Sequence, residues 1–521
     1  MKKSTLLLTL LAMPLLASAQ YAFDALTYSQ TELRGTSRYV AMGGAFGALG
    51  GDLTTLGQNP GGIGVYRNSD ANLTLSLDFN KSTASGEKCT NNSFQFANIG
   101  YVGAFRLNSE TMPTFNFGFS YNRINSYRRH YTGYMSGIAS SVTDYLAEKA
   151  NNDGTTIADM NEGYSGYARW DQIAAYRTYL INPTESTGRE WGGLGYDGTI
   201  GEAEFEVDEV GRTDEYNISL GGNIKNFLYW GASLGIRNMV YEYYKYYGEV
   251  LTNTVIFDVP DLEKAKVVDG NASLGIVNTS RTTGTGVNGK FGVILKPINQ
   301  LRFGVAVHTP TIYKMRDIYT GNISAEYYGE KVPTAYSLVE KYPESSNYYK
   351  IRTPWKFIGS VAGVIGNIGI ISFDYEYCSN KSIRIQDDRG REYAGSTNEI
   401  NTCLKPSHTI KIGAEVRVSP KFSLRAGYNM QTTGTSADVQ DDKVEVEVAS
   451  THPAYTYDKD IKHITAGFGY HSGSLYFDMA YVYQNRKSNY HAFPGINYLP
   501  TLSTEVKDTN HRIQATLGFR F

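Results

Sequence analysis

The chain has 521 residues and a formal net charge of −2, so it carries no basic footprint for nucleic acid. Its 42 tyrosines are an excess expected of a barrel with interfacial aromatic girdles, or of an extracellular β-rich protein with sticky tyrosines. The three cysteines, Cys89, Cys378 and Cys403, have neither metal-ligand nor redox spacing, and pairing of the last two across one loop is as acceptable as free thiols.

The first residues read as a secretory signal. Lys2 and Lys3 are followed by the apolar run Leu6 to Leu16 and by Ala17-Ser18-Ala19, a small-x-small cleavage site. The run is about half the ~20 residues a spanning helix needs. Residues 1–19 are therefore a signal peptide, cut near Ala19/Gln20. No later stretch approaches a spanning helix, so a membrane form of this chain crosses as strands.

Residues 20–70 do not alternate. Ala41 to Asp52 is rich in glycine and alanine, and Gln58-Asn59-Pro60-Gly61-Gly62 follows. Small residues allow close backbone packing, and proline and glycine enforce turns. Met42, Phe46, Leu49, Leu53 and Leu56 are too apolar for a disordered linker. The segment is expected to be a compact hatch inside a barrel, whose lumen at about fourteen strands is too wide for its own side chains to fill.

From residue 71 onward about fourteen segments have strand character, near 71–80, 94–107, 114–126, 214–226, 228–244, 284–296, 300–316, 351–366, 369–380, 406–418, 421–432, 460–472, 474–487 and 508–521. In 421–432, Phe422, Leu424, Ala426, Tyr428 and Met430 share one face, opposite Ser423, Arg425, Gly427, Asn429 and Gln431. The connections alternate: short turns such as Lys225–Phe227 and Ser472–Ser474, and long loops between them, as in an outer-membrane barrel with both ends periplasmic. The longest loop is about 127–213 and contains helix-like patches at 139–150 and 170–181. Such helices form an apolar groove for a greasy ligand or cap the barrel mouth.

The chain ends on an alternating strand. Ile513, Ala515, Leu517, Phe519 and Phe521 face one way, and Arg512, Gln514, Thr516, Gly518 and Arg520 the other. A free strand of this kind is an aggregation hazard in water, and closing a barrel removes its edge. The expected fold is thus an all-β transmembrane antiparallel β-barrel of about fourteen strands at residues 71–521, plugged by the hatch.

No enzyme motif stands out: there is no His-Glu-x-x-His, Gly-x-Ser-x-Gly or Cys-x-x-Cys. Gly284 to Gly289 matches Gly-x-Gly-x-x-Gly literally but opens a strand, not a helix, so the nucleotide reading fails. His463 and His471 share a face of one strand but lie about 26 Å apart, too far to hold one metal. The expectation is no metal, no cofactor and no catalytic residue.

The chain resembles the FadL/TodX family of outer-membrane channels for long-chain fatty acids and aromatic hydrocarbons. The resemblance rests on the glycine-rich run, Asp52 and Asn59-Pro60 of the hatch, with Gly61 where the family usually has alanine. It rests also on strand pairs such as Leu301 to Val305, Ile412 to Glu415, Leu424 to Tyr428 and Ala466 to Tyr470, and on the terminal Gly518-Phe519-Arg520-Phe521. It implies passive transport of hydrophobic small molecules through the outer membrane of a Gram-negative cell. Ligand would be caught among the loops, pass a pocket above the hatch, and leave sideways where an early strand is kinked. Asp52, Asn59, Pro60 and Gly61 are the expected gating residues and Gly118 the candidate wall kink. The expected partners are the ligand, outer-membrane lipid and the barrel-assembly machinery, which would read Phe521; a monomer is expected. The competing readings are a haem or other ligand receptor on the same barrel, a barrel lipase, and an adhesin or structural barrel.

Overall fold

The computed structural model describes residues 22–521 except 186, 197, 258–266, 333, 367 and 498. The expected signal peptide and cleavage point lie outside the described residues. Fourteen antiparallel wall strands form one closed sheet. They are β1 (Asp70–Ala84), β2 (Glu87–Arg106), β3 (Thr114–Ser126, continued by Arg129–Ile138), β4 (Ile200–Ile224), β5 (Leu228–Phe257), β6 (Val267–Ile298) and β7 (Leu301–His308, continued by Ile312–Tyr328). The second half is β8 (Lys356–Ile365, preceded by Tyr336–Lys341 and Ser345–Arg352), β9 (Gly369–Cys378, continued by Arg384–Asp387), β10 (Ser407–Ser419), β11 (Phe422–Gln431), β12 (Tyr455–Ser472), β13 (Leu475–His491) and β14 (Ser503–Arg520). β14 returns to β1 in continuous register from Asp70↔Arg520 to Ala84↔Val506, which removes both edges.

Alternation sorts the side chains as the period of two demands. Outward residues form an exposed apolar belt: Phe117 and Phe119 on β3, Ile218 and Leu220 on β4, Phe357 and Val361 on β8, Leu517 and Phe519 on β14. A polar bonding partner or ring stack marks its upper rim, where Tyr375 meets His408 and Tyr481 meets His511, each at 2.7 Å. Inward neighbours are polar and buried, among them Asn116, Ser120, Asn217, Ser219, Gln514 and Thr516. A wall that is greasy outside and polar inside suits a bilayer and no aqueous environment.

Several loops are paired rather than open. β1 and β2 run on to a two-residue turn at Ser85-Gly86, where a long loop was expected. β5 and β6 reach 30 and 32 residues, well beyond their apolar stretches. Above the belt the contrast reverses: the outer face is polar, as at Glu202, Glu204 and Glu206, and the inner face is apolar and buried against the cap, as at Ala203, Phe205, Val207, Leu274 and Ile276. The long excursion likewise narrows to residues 139–199, since 129–138 and 200–213 are strand. Its helices are Val142–Asp153, Ile157–Glu162 and Trp170–Arg177; the second of these, opened by a Thr156/Asp159 capping box, and Ala394–Cys403 elsewhere are additions to the expected helices.

Candidate functional site

Residues 30–66 lie inside the barrel and are stitched to inward side chains around its circumference. Asn116 of β3 donates to the Ile63 and Tyr66 carbonyls at 2.6 and 3.0 Å. Arg302 of β7 reaches the Leu49 carbonyl at 2.9 Å, Asn429 of β11 the Gly43 carbonyl at 3.2 Å, and Thr465 of β12 the Ala41 carbonyl at 2.9 Å. Asp374 of β9 accepts from the Gly47 amide at 2.8 Å and the Gln58 side chain at 2.9 Å. Wall glycines make the fit possible. A Cβ on Gly413 would meet the Met42 side chain at 2.8 Å, and one on Gly304 the Ala48 Cα at 3.0 Å, so backbone rests directly on backbone.

The residues singled out in the hatch fall within this inner segment. Asp52 is buried and accepts from the Thr36 hydroxyl at 2.7 Å and the Thr54 amide at 2.9 Å. Burial pushes its carboxyl above the usual range. Asn59 accepts from the Gly61 amide at 3.0 Å, an Asx turn, and donates to the Gly47 and Val293 carbonyls at 2.5 and 3.3 Å. Pro60 opens the 3-10 turn Pro60–Val65. Gly61 is there for space rather than for backbone freedom: a Cβ would lie 2.9 Å from the Val293 Cα on the wall.

Gly118 is not where the wall departs from regularity. It pairs with Val102 on one side and Ser219 on the other, with no register shift at that position. It leaves room for Leu56, whose Cδ1 would lie 3.0 Å from a Cβ. The irregularity in β3 is between Arg123 and Asn125.

Above that point the wall has a seam. Pairing between β2 and β3 ends at Asn98↔Asn122. Beyond it Ala97 is bulged out of register, the β2 residues 87–96 pair with β1 alone, and Arg129–Ile138 pairs with β4 alone. Side chains cross the gap: Gln95 to Ser126 at 3.2 Å, Arg128 to Asn91 at 3.3 Å, and Cys89 Sγ to Thr132 Oγ1 at 3.5 Å. The continuation of β3 bends toward the lumen, so that Arg129 pairs with Asp508 of β14 at 2.7 Å. Phe94 and Phe96 flank the seam outside and are 63% and 48% exposed.

A strap, residues 30–34, covers the seam from within. The Glu32 amide donates to the Ile124 carbonyl at 2.9 Å, and the Ser126 amide to the Glu32 carboxylate at 3.3 Å. Arg34 bonds Gln95 of β2 at 3.1 Å, and Arg512 of β14 holds the Leu33 carbonyl at 2.6 Å. Glu32 is held below the usual carboxylate range, against the desolvation that opposes this, by Arg34 and Arg512.

Above the inner segment lie two cavities of about 90 Å3 each. The first is lined by the ion-paired groups Glu215, Arg237, Lys356, Glu376 and Lys411. Glu215 binds Arg237 at 2.7 Å and Lys290 at 2.5 Å; Glu376 binds Lys356 at 2.5 Å and Lys411 at 3.0 Å. The second is lined by Phe23, Leu26, Tyr127, Tyr241, Tyr457 and His463. The helix Ala22–Ser29 fills the space above: Phe23 stacks on Tyr455 at 5.8 Å and Tyr28 packs edge-on to Tyr241 at 5.7 Å. The helices Val142–Asp153 and Trp170–Arg177 bury Leu146, Ile173, Ala174 and Ala175 in the same apolar cluster and close the barrel mouth. Of the two arrangements open to them, they form a cap, not an open groove.

Among the cations of the later strands, Lys411, Arg425 and Arg512 are buried and ion-paired, and Arg520 pairs with Asp70 at 3.2 Å. Arg417 lies exposed at the rim. The histidines are dispersed. His308 contacts the Gln58 carbonyl at 2.6 Å, while His408 and His511 face outward. Among the described residues no group of three His, Cys, Asp or Glu side chains is placed to hold a metal, and the three cysteines are free thiols.

No protein-family model matches the chain, and no curated protein does. Solved structures do. The chain is similar to a Pseudomonas aeruginosa FadL homologue at 12% identity and TM-score 0.49, over 94% of this chain and 99% of that one. It is similar to the P. putida toluene transporter TodX at 12% identity and TM-score 0.46, and to the Ralstonia pickettii toluene transporter TbuX at 15% identity and TM-score 0.44; each covers 94% of this chain and 99% of its own.

Proposed function

We propose that this protein is a passive outer-membrane channel that takes up hydrophobic small molecules, long-chain fatty acids or similar, and releases them sideways into the bilayer. It carries out no catalysis in this reading. The observation that carries it is the seam between β2 and β3, an unpaired stretch of wall that starts within the apolar belt and is covered on its inner side by the strap. An apolar solute gains free energy by entering lipid rather than the aqueous periplasm, so a side exit is the downhill route. The stitched inner segment supports a plug that keeps the lumen closed to water-soluble compounds. Asn59, Pro60 and Gly61 set its position, and Asp52 ties its first turn to Thr36.

The β1–β14 ladder closes the wall, which suits a monomer in a Gram-negative outer membrane, reached after removal of the signal peptide. Phe521 is exposed, its amide bonded to the Ser69 carbonyl at 3.1 Å and its ring stacked on Tyr101 at 6.3 Å. That placement suits a contact read by the barrel-assembly machinery.

The test is a lock across the seam. Cys89 lies beside Thr132 from the other side, so Thr132→Cys places two thiols in reach of a disulfide. Uptake of a labelled long-chain fatty acid should fall sharply when the variant is oxidised and return on reduction. Equal uptake by the fully cross-linked protein would sink lateral release. Haemin binding run in parallel addresses the receptor reading: saturable binding of haemin, with none of fatty acid, would replace the channel.

A further inference from the structure

The outward face of the wall changes chemistry just above the apolar belt, on the side where β14 closes against β1. Leu77 and Phe79 of β1 are followed on the same face by Lys81, and Ile464 of β12 by Lys462. On β14 the apolar run ends at Ile513 and His511, and Thr509 and Lys507 come next. On β13 Tyr481 and Tyr483 give way, past Asn485, to Lys487. On β2 Phe96 and Phe94 give way, past Asn92 and Thr90, to Lys88. Each lysine keeps the parity of the lipid-facing residues below it, so it points away from the lumen, and each is exposed.

The register sets these side chains in rows. Lys462, Asn485, Thr509 and Lys81 are successive cross-strand neighbours. They lie one outward step, roughly 7 Å, above the row of Ile464, Tyr483, His511 and Phe79. Lys487, Lys507, Thr83 and Lys88 make the next row. Here Lys487 stands directly opposite Lys507, a like-charge pairing that a ladder disfavours. Glu505 offsets it: Lys459, Lys487 and Lys507 converge on its carboxylate at 3.5, 3.4 and 3.5 Å. Asp460, in the β12 bulge, accepts from the Thr433 amide at 2.9 Å. Three ammonium groups on one carboxylate leave positive charge over, with Lys81 and Lys462 added below. The outward cations of the opposite wall are engaged singly. Arg281 pairs with Glu242 at 3.2 Å, Lys350 reaches the Asp388 carbonyl at 2.7 Å, and Arg316 lies over the Tyr348 ring at 5.4 Å. The β4 strand carries acids at its outward positions above the belt, Glu202, Glu204 and Glu206.

We propose that this lysine face of β12, β13, β14, β1 and β2 binds the phosphate groups of anionic lipid in the leaflet beside the long loops. The ammonium groups stand at the height where hydrocarbon ends, because the row beneath them is still apolar and aromatic. Their stems lie along that row while the charges reach the head-group layer. Charge-assisted bonds to phosphate oxygens relieve the repulsion between Lys487 and Lys507, which Glu505 alone shares among three cations. The site goes beyond the transport reading and rests on the outer-membrane placement only for which leaflet is meant.

The test uses the full-length protein in detergent micelles, presented with equal amounts of bisphosphorylated and monophosphorylated lipid A. By native mass spectrometry wild type should retain several-fold more of the bisphosphorylated form, with the preference weakening as salt rises. The variant Lys81→Gln/Lys462→Gln/Lys487→Gln/Lys507→Gln should lose most of that preference. Lys331→Gln/Lys443→Gln, in the loops beyond the wall, should keep it. Excess inorganic phosphate should leave the lipid bound. Heat-modified mobility on gels checks that each variant is folded. Equal retention of the two lipids by wild type, an unchanged preference in the quadruple variant, or displacement by inorganic phosphate overturns the proposal. None of these outcomes depends on whether fatty acid is transported, so uptake can fail with this site intact and the reverse.

Discussion

Asn59 shows how a single side chain fixes a loop. Its carbonyl oxygen takes the Gly61 amide, and its amide nitrogen reaches both the inner segment at Gly47 and the wall at Val293. Alanine removes all three bonds and leaves buried carbonyls unpaired, a cost of about 1–3 kcal/mol for each group left without a partner. In Asn59→Ala/Pro60→Ala the wall strands keep their pairing, so the barrel should assemble and keep its heat-modified mobility. Uptake should change, in either direction, because the plug no longer has one seat. Unchanged uptake by a folded double variant would remove these residues from gating. The turn itself is legible in the sequence because an Asx turn is a local matter. The need for glycine at 61 is not, because it depends on Val293, more than two hundred positions away. The same holds for Gly118, whose neighbour Leu56 belongs to another element. A glycine in a strand announces close approach or a bend, and nothing local distinguishes the two.

At the scale of elements, the belt strands were readable and their extensions were not. Alternation of Phe422 to Met430 or of Ile513 to Phe519 records one face in lipid and the other in a polar lumen. The hairpin tops carry the reverse contrast, polar outside and apolar toward the cap, as in Ala203 to Val207, so the belt pattern does not pick them out. Helices read partially: Trp170–Arg177 begins where expected, yet it is buried nearly all round, which blurs the amphipathic period. The helix Ala22–Ser29 is held at its start by Glu399, which accepts the Ala22 amide at 3.4 Å. Burial, reinforced by Glu447 and Asp24, pushes the Glu399 carboxyl up to about 8. A raised carboxyl favours the neutral form in the fold. Its contribution to holding the helix is complete below the ordinary carboxyl range and is lost as pH rises through about 8. Hydrogen exchange of 22–29 should accordingly be faster at pH 9 than at pH 6, after correction for intrinsic rates. Glu399→Gln should flatten that dependence. Equal protection at both pH values in wild type would show that this carboxyl does not govern the helix.

For the whole molecule, closure was legible from the two ends: β1 and β14 both alternate, and each lacks a partner until it meets the other. The seam was not, since an interrupted ladder leaves no mark in composition, and Arg123 to Asn125 reads as ordinary strand. A wall of this size encloses more space than its inward residues fill, and here the inner segment takes it up. That segment bonds to the wall on β3, β7, β9, β11, β12 and β14, yet the ladder from β1 to β14 closes without it. Deleting residues 22–66 while keeping residues 1–21 should therefore leave a folded barrel and uncover polar lumenal groups such as Asn116, Asp374 and Asn429 to water. Planar bilayers should then show stepwise ionic conductance that wild type lacks, and cells should become sensitive to large hydrophilic antibiotics. A folded deletion variant that stays silent in both assays would mean that the cap helices, not the inner segment, seal the barrel.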